Sequence, residues 1–369
     1  MFFLITGCSL RQNVLKQVSL SKNEKLFEVF SNPEKYEVQI VYSKIHRDGK
    51  KVEFEDYKYR IDAESYFYPA STVKLPITIL SLEKLHELNQ NGVGIGKNTS
   101  YRLENDSIDY TIAKDIDAIF AVSDNDAYNR LFEFLGQDYI NSKLKSKGLA
   151  PVRISHRFSG EGSADTLTKQ MIFKTESGIY KLPVTNNRAA DSLKIFDTYK
   201  GVGFMKDGEK INEAFDFSLK NYFPLETQHN LMKRIFFPDM FQKVQTFQLQ
   251  DKDLEFLKDA MSRLPRDAGY DKEEFQDSYG KFFIYGDTKG KIPSHVKIYN
   301  KVGYAYGTLT ETAYIQDDKN GVEFLLSATL LVNKNGVFND NNYEYDSIGI
   351  PFLAELGRQI YQKEVARKK

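Results

Sequence analysis

The chain reads as an α+β protein in which both ends supply strands and the middle supplies helices. Three observations predict this. Two runs of strand character, Tyr36 to His46 and Val52 to Arg60, flank Asp48-Gly49, a strong hairpin signal. Three more strand candidates, Val296 to Gly303, Leu309 to Asp317 and Val322 to Val332, follow near the other end. Between these groups, residues 71 to about 150 and two later segments carry helical periodicity. The pattern implies a five-stranded antiparallel sheet with terminal helices on one face and a helical subdomain inserted between its halves, a three-layer α/β/α-like arrangement.

Taken in order, Glu24 to Phe30 is a short amphipathic helix with Asn23 placed to cap it. After the hairpin, a strand-to-helix turn falls at Pro69 and Ser71. Pro76 early in that helix removes one backbone donor and predicts a mild kink or a late start. A polar, Gly-containing loop at Asn91 to Asn98 precedes a helix over Thr111 to Val122. Ser123-Asp124-Asn125 interrupts it, and helices resume over Ala127 to Leu135 and Tyr139 to Lys147, with Gly136 and Gly148 as stops. Pro151 to about Lys220 is irregular, with hairpins expected around Ser177-Gly178 (Met171 to Val184) and Asp207-Gly208 (Val202 to Ile211). Helical patterns return at Gln228 to Phe236 and Asp253 to Leu264, and a last helix runs from about Tyr345 to Lys368. The domain organisation expected is one domain over 20–369, with a sheet part from 24–65 and 295–369, a helical part over 70–290, and inserted hairpins at about 171–220.

Composition excludes several function classes. The 51 basic and 51 acidic residues balance, so nothing points to nucleic acid or to an anionic membrane surface. Five scattered histidines and one cysteine provide no metal-ligand cluster, and no Gly-rich phosphate loop occurs, so neither a metal nor a cofactor is expected. The single cysteine, Cys8, ends Phe2-Phe3-Leu4-Ile5-Thr6-Gly7-Cys8, which resembles a bacterial lipoprotein lipobox without the usual basic start. Residues 1–8 therefore read as a lipoprotein signal with Cys8 lipidated, placing the protein in the periplasm or cell envelope with a lipid anchor as its only membrane contact. The alternative is a short apolar N-terminus bearing a free thiol. A monomer is the default.

The chemistry concentrates at Ser71-Thr72-Val73-Lys74. Residues i and i+3 share a helix face, so Lys74 could reach the Ser71 oxygen at the start of a helix whose unpaired N–H groups favour a developing oxyanion. The apolar run after it predicts a buried helix able to depress the lysine pKa. The spacing alone is worth little, since Ser-x-x-Lys occurs six times. Only the pair at Ser71 follows a proline turn, opens a long apolar helix and is followed by Ser123-Asp124-Asn125 and then Lys301-Val302-Gly303.

With these three motifs in order, the chain resembles the class A β-lactamase and penicillin-binding protein superfamily over most of its length, least at 160–225. The resemblance implies a β-lactamase/transpeptidase-like fold and a serine hydrolase acting on a β-lactam or a cell-wall peptide. It implies that Ser71 attacks a carbonyl with Lys74 as base, that Ser123 relays a proton, and that Lys301 holds a substrate carboxylate or assists Ser123. Asn125 would donate to a substrate amide, and the Ser71 and Tyr304 amides, beside Gly303, would form the oxyanion hole. The plainer alternatives are a helix N-cap for Ser123, a turn for Asn125 and a solvated strand end for Lys301.

Two departures stand out. Val302 replaces the motif's threonine, with Thr308 and Thr310 nearby. In the stretch Ile154 to Glu161, Ser159 stands where the family places its deacylating glutamate, and Glu161 comes two residues late, as either a displaced base or an exposed loop acid. Slow deacylation, as in a penicillin-binding relative or D-alanyl peptidase, is the second reading. A non-catalytic lipoprotein scaffold, motivated by the 171–220 insert, is the third.

Overall fold

The computed structural model describes residues 13–158 and 162–368. Cys8 and Glu161 lie outside the described residues, as does the stretch 1–8 expected to be a lipoprotein signal. The N-terminal part comprises α1 (Val14–Ser19), α2 (Glu24–Ser31), β1 (Gln39–Asp48) and β2 (Lys51–Tyr59). Then come α3 (Lys74–Gln90), β3 (Tyr101–Leu103), α4 (Ile112–Val122), α5 (Asn125–Leu135) and α6 (Gln137–Ser146). The insert holds β4 (Met171–Thr175), β5 (Gly178–Leu182), β6 (Tyr199–Lys200), β7 (Gly203–Lys206), β8 (Glu209–Ile211) and β9 (Phe215–Asp216). The chain closes with α7 (Leu225–Phe236), α8 (Asp251–Ser262), β10 (Val296–Ala305), β11 (Thr308–Asp317), β12 (Val322–Leu331), β13 (Val337–Phe338) and α9 (Ile350–Lys368).

The main sheet has the order β10-β11-β12-β1-β2 and is antiparallel throughout. It is covered on both faces, which explains why β12 (Val-Glu-Phe-Leu-Leu-Ser-Ala-Thr-Leu-Leu) is buried along nearly its whole length rather than alternating. Phe324 and Leu326 face one core with Leu26, Val29, Phe352, Leu356 and Ile360 of the terminal helices. Leu325 and Tyr314 face the other, with Leu75, Ile79, Leu131 and Leu231 of the helical subdomain. The first and last segments thus cover one face, joined there by Leu264, Phe282, Phe283, Ile284 and Ile292 from the stretch before β10, and the helices between β2 and β10 cover the other.

Local capping follows the sequence. Asn23 Oδ1 accepts from the Lys25 amide at 3.0 Å, and Thr111 Oγ1 accepts from the Lys114 amide at 3.2 Å. Gly136 (φ +77°) and Gly148 (φ +70°) provide the left-handed turns that end α5 and follow α6. Both expected hairpins form, at β4–β5 and β7–β8.

Several pairings were beyond reach of local pattern. β3 joins β4 and β5 in a small sheet, and β13, after the main sheet, pairs in parallel with β7 of the insert (Val337 with Gly203, Phe338 with Phe204). The polar leader carries the short helix α1, whose Leu15 and Val18 bury against the terminal-helix core.

Candidate active site

Pro76 delays α3 rather than kinking it. Residues Ala70–Val73 form a 3-10 turn, and the α-helix proper begins at Lys74, so Pro76 falls in the first turn, where its missing donor costs nothing. Ser71 sits half-buried in that turn, and Lys74 is completely buried. Ala70, just ahead of the serine, is held at φ +45°, a backbone conformation costly for a residue with a Cβ.

Ser123 is the second strained residue. It ends α4 in the left-handed region, at φ +59° and ψ +38°, and its amide closes back on Ala118 O. The helix-capping role falls instead to Asp124, whose carboxylate accepts from the Ala127 amide at 2.7 Å. The Ser123 side chain is therefore not used as a cap and turns toward the two lysines.

Lys74 Nζ bonds the Ser123 carbonyl and, at 2.7 Å, Asn125 Oδ1, with Ser123 Oγ at 3.4 Å. Lys301 Nζ bonds Ser123 Oγ at 2.9 Å and Val302 O at 2.9 Å. Ser123 thus stands between two buried amines. Burial pulls the Lys74 pKa down to about 7, only partly offset by Asp124 and Asp126. Burial also holds Lys301 well below the ordinary lysine range, with Lys74 and Lys281 adding repulsion. In neutral form each amine has two N–H groups. For Lys74 these match the Ser123 carbonyl and Asn125 Oδ1, leaving its lone pair for a hydroxyl proton. Among the described residues, the Ser71 hydroxyl makes no hydrogen bond of its own.

Gly303 fixes the approach of β10, the edge strand, to the Ser71 turn. A Cβ at this position would come within 2.6 Å of Pro69 O, 2.8 Å of Ser71 N and 2.9 Å of Thr72 N. Gly303→Ala is therefore expected to push the strand away from the Ser71 amide, lowering the Ser71 acylation rate at least roughly tenfold for a stability loss of only ~1–3 kcal/mol. Stopped-flow acylation and thermal unfolding of the variant check this, and an unchanged acylation rate would count against it.

The 3-10 turn and β10 border a cleft that Tyr304 and Tyr345 divide. On one side a cavity of about 360 Å³ reaches Ser71 and Asn125, walled by Tyr68, Phe158, Tyr306 and loop residues Asn339, Asn341 and Tyr343. On the other, a cavity of about 410 Å³ reaches Ser123. Tyr304 is half exposed and packs between Phe282 and Tyr345, with ring centroids 6.0 and 5.5 Å away.

The loop wall was not recognised from the sequence. It is pinned by the β13–β7 pairing, by Asn339 Nδ2 on Met205 O at 2.9 Å, and by Tyr345 Oη accepting from the Gly307 amide at 2.8 Å. Its only local signal is the turn-rich run Asn339-Asp340-Asn341-Asn342 before the final helix.

Phe158 completes the floor, with Lys74 Nζ 4.9 Å from its ring centre. It is held by two bonds of 2.8 Å with the Asn129 side-chain amide. The neighbouring Arg157 makes a buried two-pronged ion pair with Glu133, at 2.5 and 2.8 Å. His156, buried and pushed down to about 4 by that burial, donates from Nδ1 to Arg157 O and stacks 6.5 Å from Tyr68. The segment leading to residues 159–161 is therefore built into the site.

The departures have structural consequences. Val302 is buried in the core under the terminal helices and presents only an apolar wall to the cavity at Ser123. Thr310 Oγ1 is engaged with Thr329 Oγ1 at 2.8 Å, and Thr308 is buried and lines neither cavity. Behind Lys301, a buried network that sequence reading did not find links Lys281 Nζ to Asn300 Oδ1 at 2.6 Å and Asn300 to Glu311. It also ties the 280–283 segment to β10 and β11.

A two-amine serine site on a five-stranded sheet with an inserted helical subdomain is the β-lactamase-like serine hydrolase fold. Residues 23–194, which include Ser71, Lys74, Ser123 and Asn125, match the Beta-lactamase enzyme family. A class A β-lactamase from Bacteroides cellulosilyticus is similar at TM-score 0.54 and 13% identity, over 96% of this chain and 98% of that one. PBP-A is similar at TM-score 0.53 and 13% identity, over 96% of both chains. A class A β-lactamase from Mycobacterium abscessus follows at 0.51 and 15%, over 88% of this chain and 93% of that one. At such identities these likenesses are of fold. No curated protein matches the sequence. The family match thus covers residues 23–194, and over nearly its whole length the chain shares the fold of class A β-lactamases and PBP-A.

Proposed function

We propose that this protein is a serine hydrolase that opens a β-lactam or a related amide or ester through an acyl-enzyme on Ser71. The observation that carries the reading is the placement of Ser123 Oγ between Lys301 and Lys74, both buried and both depressed in pKa. Neutral Lys74 takes the Ser71 proton as Oγ bonds to the carbonyl carbon. Ser123 then passes a proton to the leaving group, while Lys301 holds the Ser123 hydroxyl in place. The Ser71 and Tyr304 amides stabilise the oxyanion, a contribution of about 3 kcal/mol per donor. Asn125, with Oδ1 held by Lys74, offers its amide nitrogen to the substrate.

A second reading, a penicillin-binding relative that clears its acyl group slowly, is favoured by one observation. Among the described residues, no carboxylate lines the cavity at Ser71 that could activate water there. Intact-mass analysis after mixing with a fluorescent penicillin or an activated aryl ester tests both readings. A mass gain mapping to the peptide containing Ser71 is expected with at least one probe. Its clearance over repeated turnovers would support hydrolysis, and persistence for hours would support the penicillin-binding reading. No adduct with either probe would overturn both.

A further inference from the structure

The cavity of about 410 Å³ that opens at Ser123 has a charge character unsuited to an anion. Its walls are aromatic, with Tyr279, Phe282, Tyr304 and Tyr345, and among the described residues its only charged lining residues are Glu274 and Asp346, both exposed. Neither this cavity nor the one at Ser71 is lined by a lysine or arginine among the described residues. Lys301 does not fill the gap. It is buried, and its donors are taken by Ser123 Oγ and Val302 O. The residue after it, Val302, lines the cavity but is apolar and offers an anion no donor. Arg266, on the 265–268 turn, is tied to Asp277. A carboxylate entering here would lose its hydration and meet two carboxylates, whereas an ammonium would meet ring faces and opposite charge.

We propose that the cavity at Ser123 receives a cationic leaving group, so that the substrate is an ester or amide of an alcohol, thiol or amine carrying a quaternary or primary ammonium. The inference rests on the Ser71 acyl-enzyme reading, and Ser123 is the group that delivers the proton on this side. In the step itself, Ser71 Oγ bonds to the carbonyl carbon and the bond from that carbon to the leaving heteroatom breaks. The Ser71 proton passes to Lys74 and then through Ser123 to the departing heteroatom.

Three thioesters that deliver the same butyryl group test it on the full chain: butyrylthiocholine, the isosteric neutral 3,3-dimethylbutyl thiobutyrate, and S-butyryl-3-mercaptopropanoate. Thiol release at low ionic strength is expected to fall in that order, with roughly tenfold or more in kcat/KM between the first and the last. The double substitution Glu274→Gln, Asp346→Asn is expected to bring the cationic-to-neutral ratio below twofold. An anionic thioester that reacts as fast as the cationic one, or a double variant that keeps the full ratio, would overturn the proposal. Failure of all three thioesters while a fluorophosphonate labels Ser71 would overturn it and leave the serine enzyme standing. Absence of fluorophosphonate labelling would instead remove the Ser71 reading on which it rests.

Discussion

Ser71→Ala is expected to abolish covalent labelling by penicillin, aryl esters and fluorophosphonate alike, and to lower ester turnover by at least about 10³-fold. The size of the effect follows from the site. Lys74 is buried and faces Ser123 and Asn125, and among the described residues no second serine, threonine or cysteine lines the cavity at Ser71. Because Ser71 is half-buried in a short 3-10 turn and, among the described residues, its hydroxyl makes no hydrogen bond, removing the oxygen should change stability by less than about 1 kcal/mol. Intact-mass labelling and thermal unfolding separate the two effects. A variant that keeps full turnover would show that the chemistry runs elsewhere, and one that unfolds would make its lost labelling uninformative. Ser71→Cys guards against the second case, since it conserves shape and keeps a nucleophile.

How much of this could be read from the chain depends on the range of the signal. Regular elements with strong periodicity, such as β1, β2 and α4 to α6, were legible because their caps and turns are local: Asp48-Gly49, Thr111, Gly136. The five-stranded antiparallel sheet was legible because its strands cluster at the chain ends. Ser71, Lys74, Ser123, Asn125, Lys301 and Gly303 could be chosen from their order along the sequence, and the structure brings them together around one cleft. The parts that stayed hidden depend on contacts distant in sequence. Parallel pairing of β13 with β7 joins residues more than a hundred positions apart, and two-residue strands carry no periodicity. The Lys281, Asn300 and Glu311 network was invisible for the same reason, since each residue alone looks like an ordinary polar position. Val302 could be seen as a departure in sequence, but only its strand register shows that its side chain lies on the opposite face from Lys301.

Lys74 joins the site to the stability of the fold, and its replacement is expected to move the two in opposite directions. Its pKa is about 7 when folded against about 10.4 when unfolded, so between these values the unfolded chain binds more protons and stability rises with pH. At and below pH 7 the burial of this amine therefore costs the folded state on the order of 4 kcal/mol. Lys74→Met removes that cost but leaves the Ser123 carbonyl and Asn125 Oδ1 without their donor, which returns a part of it. The net expectation is a gain of ~1–2 kcal/mol at pH 6 to 7 that shrinks as pH approaches 10, together with loss of acylation by at least about 10³-fold.

The same pKa sets the pH profile of the unsubstituted protein. Acylation should fall about tenfold per pH unit below 7, as Lys74 takes up its proton, and level off above it. Lys74→Arg tests the base directly, because a guanidinium stays charged throughout this range and should give no recovery at high pH. Urea unfolding at pH 6.5 and 9.5, paired with stopped-flow acylation over pH 5 to 9, measures both sides. A Lys74→Met variant that is less stable at pH 6.5, or an acylation rate independent of pH across 7, would show that the amine is held as a structural cation and that another group accepts the Ser71 proton.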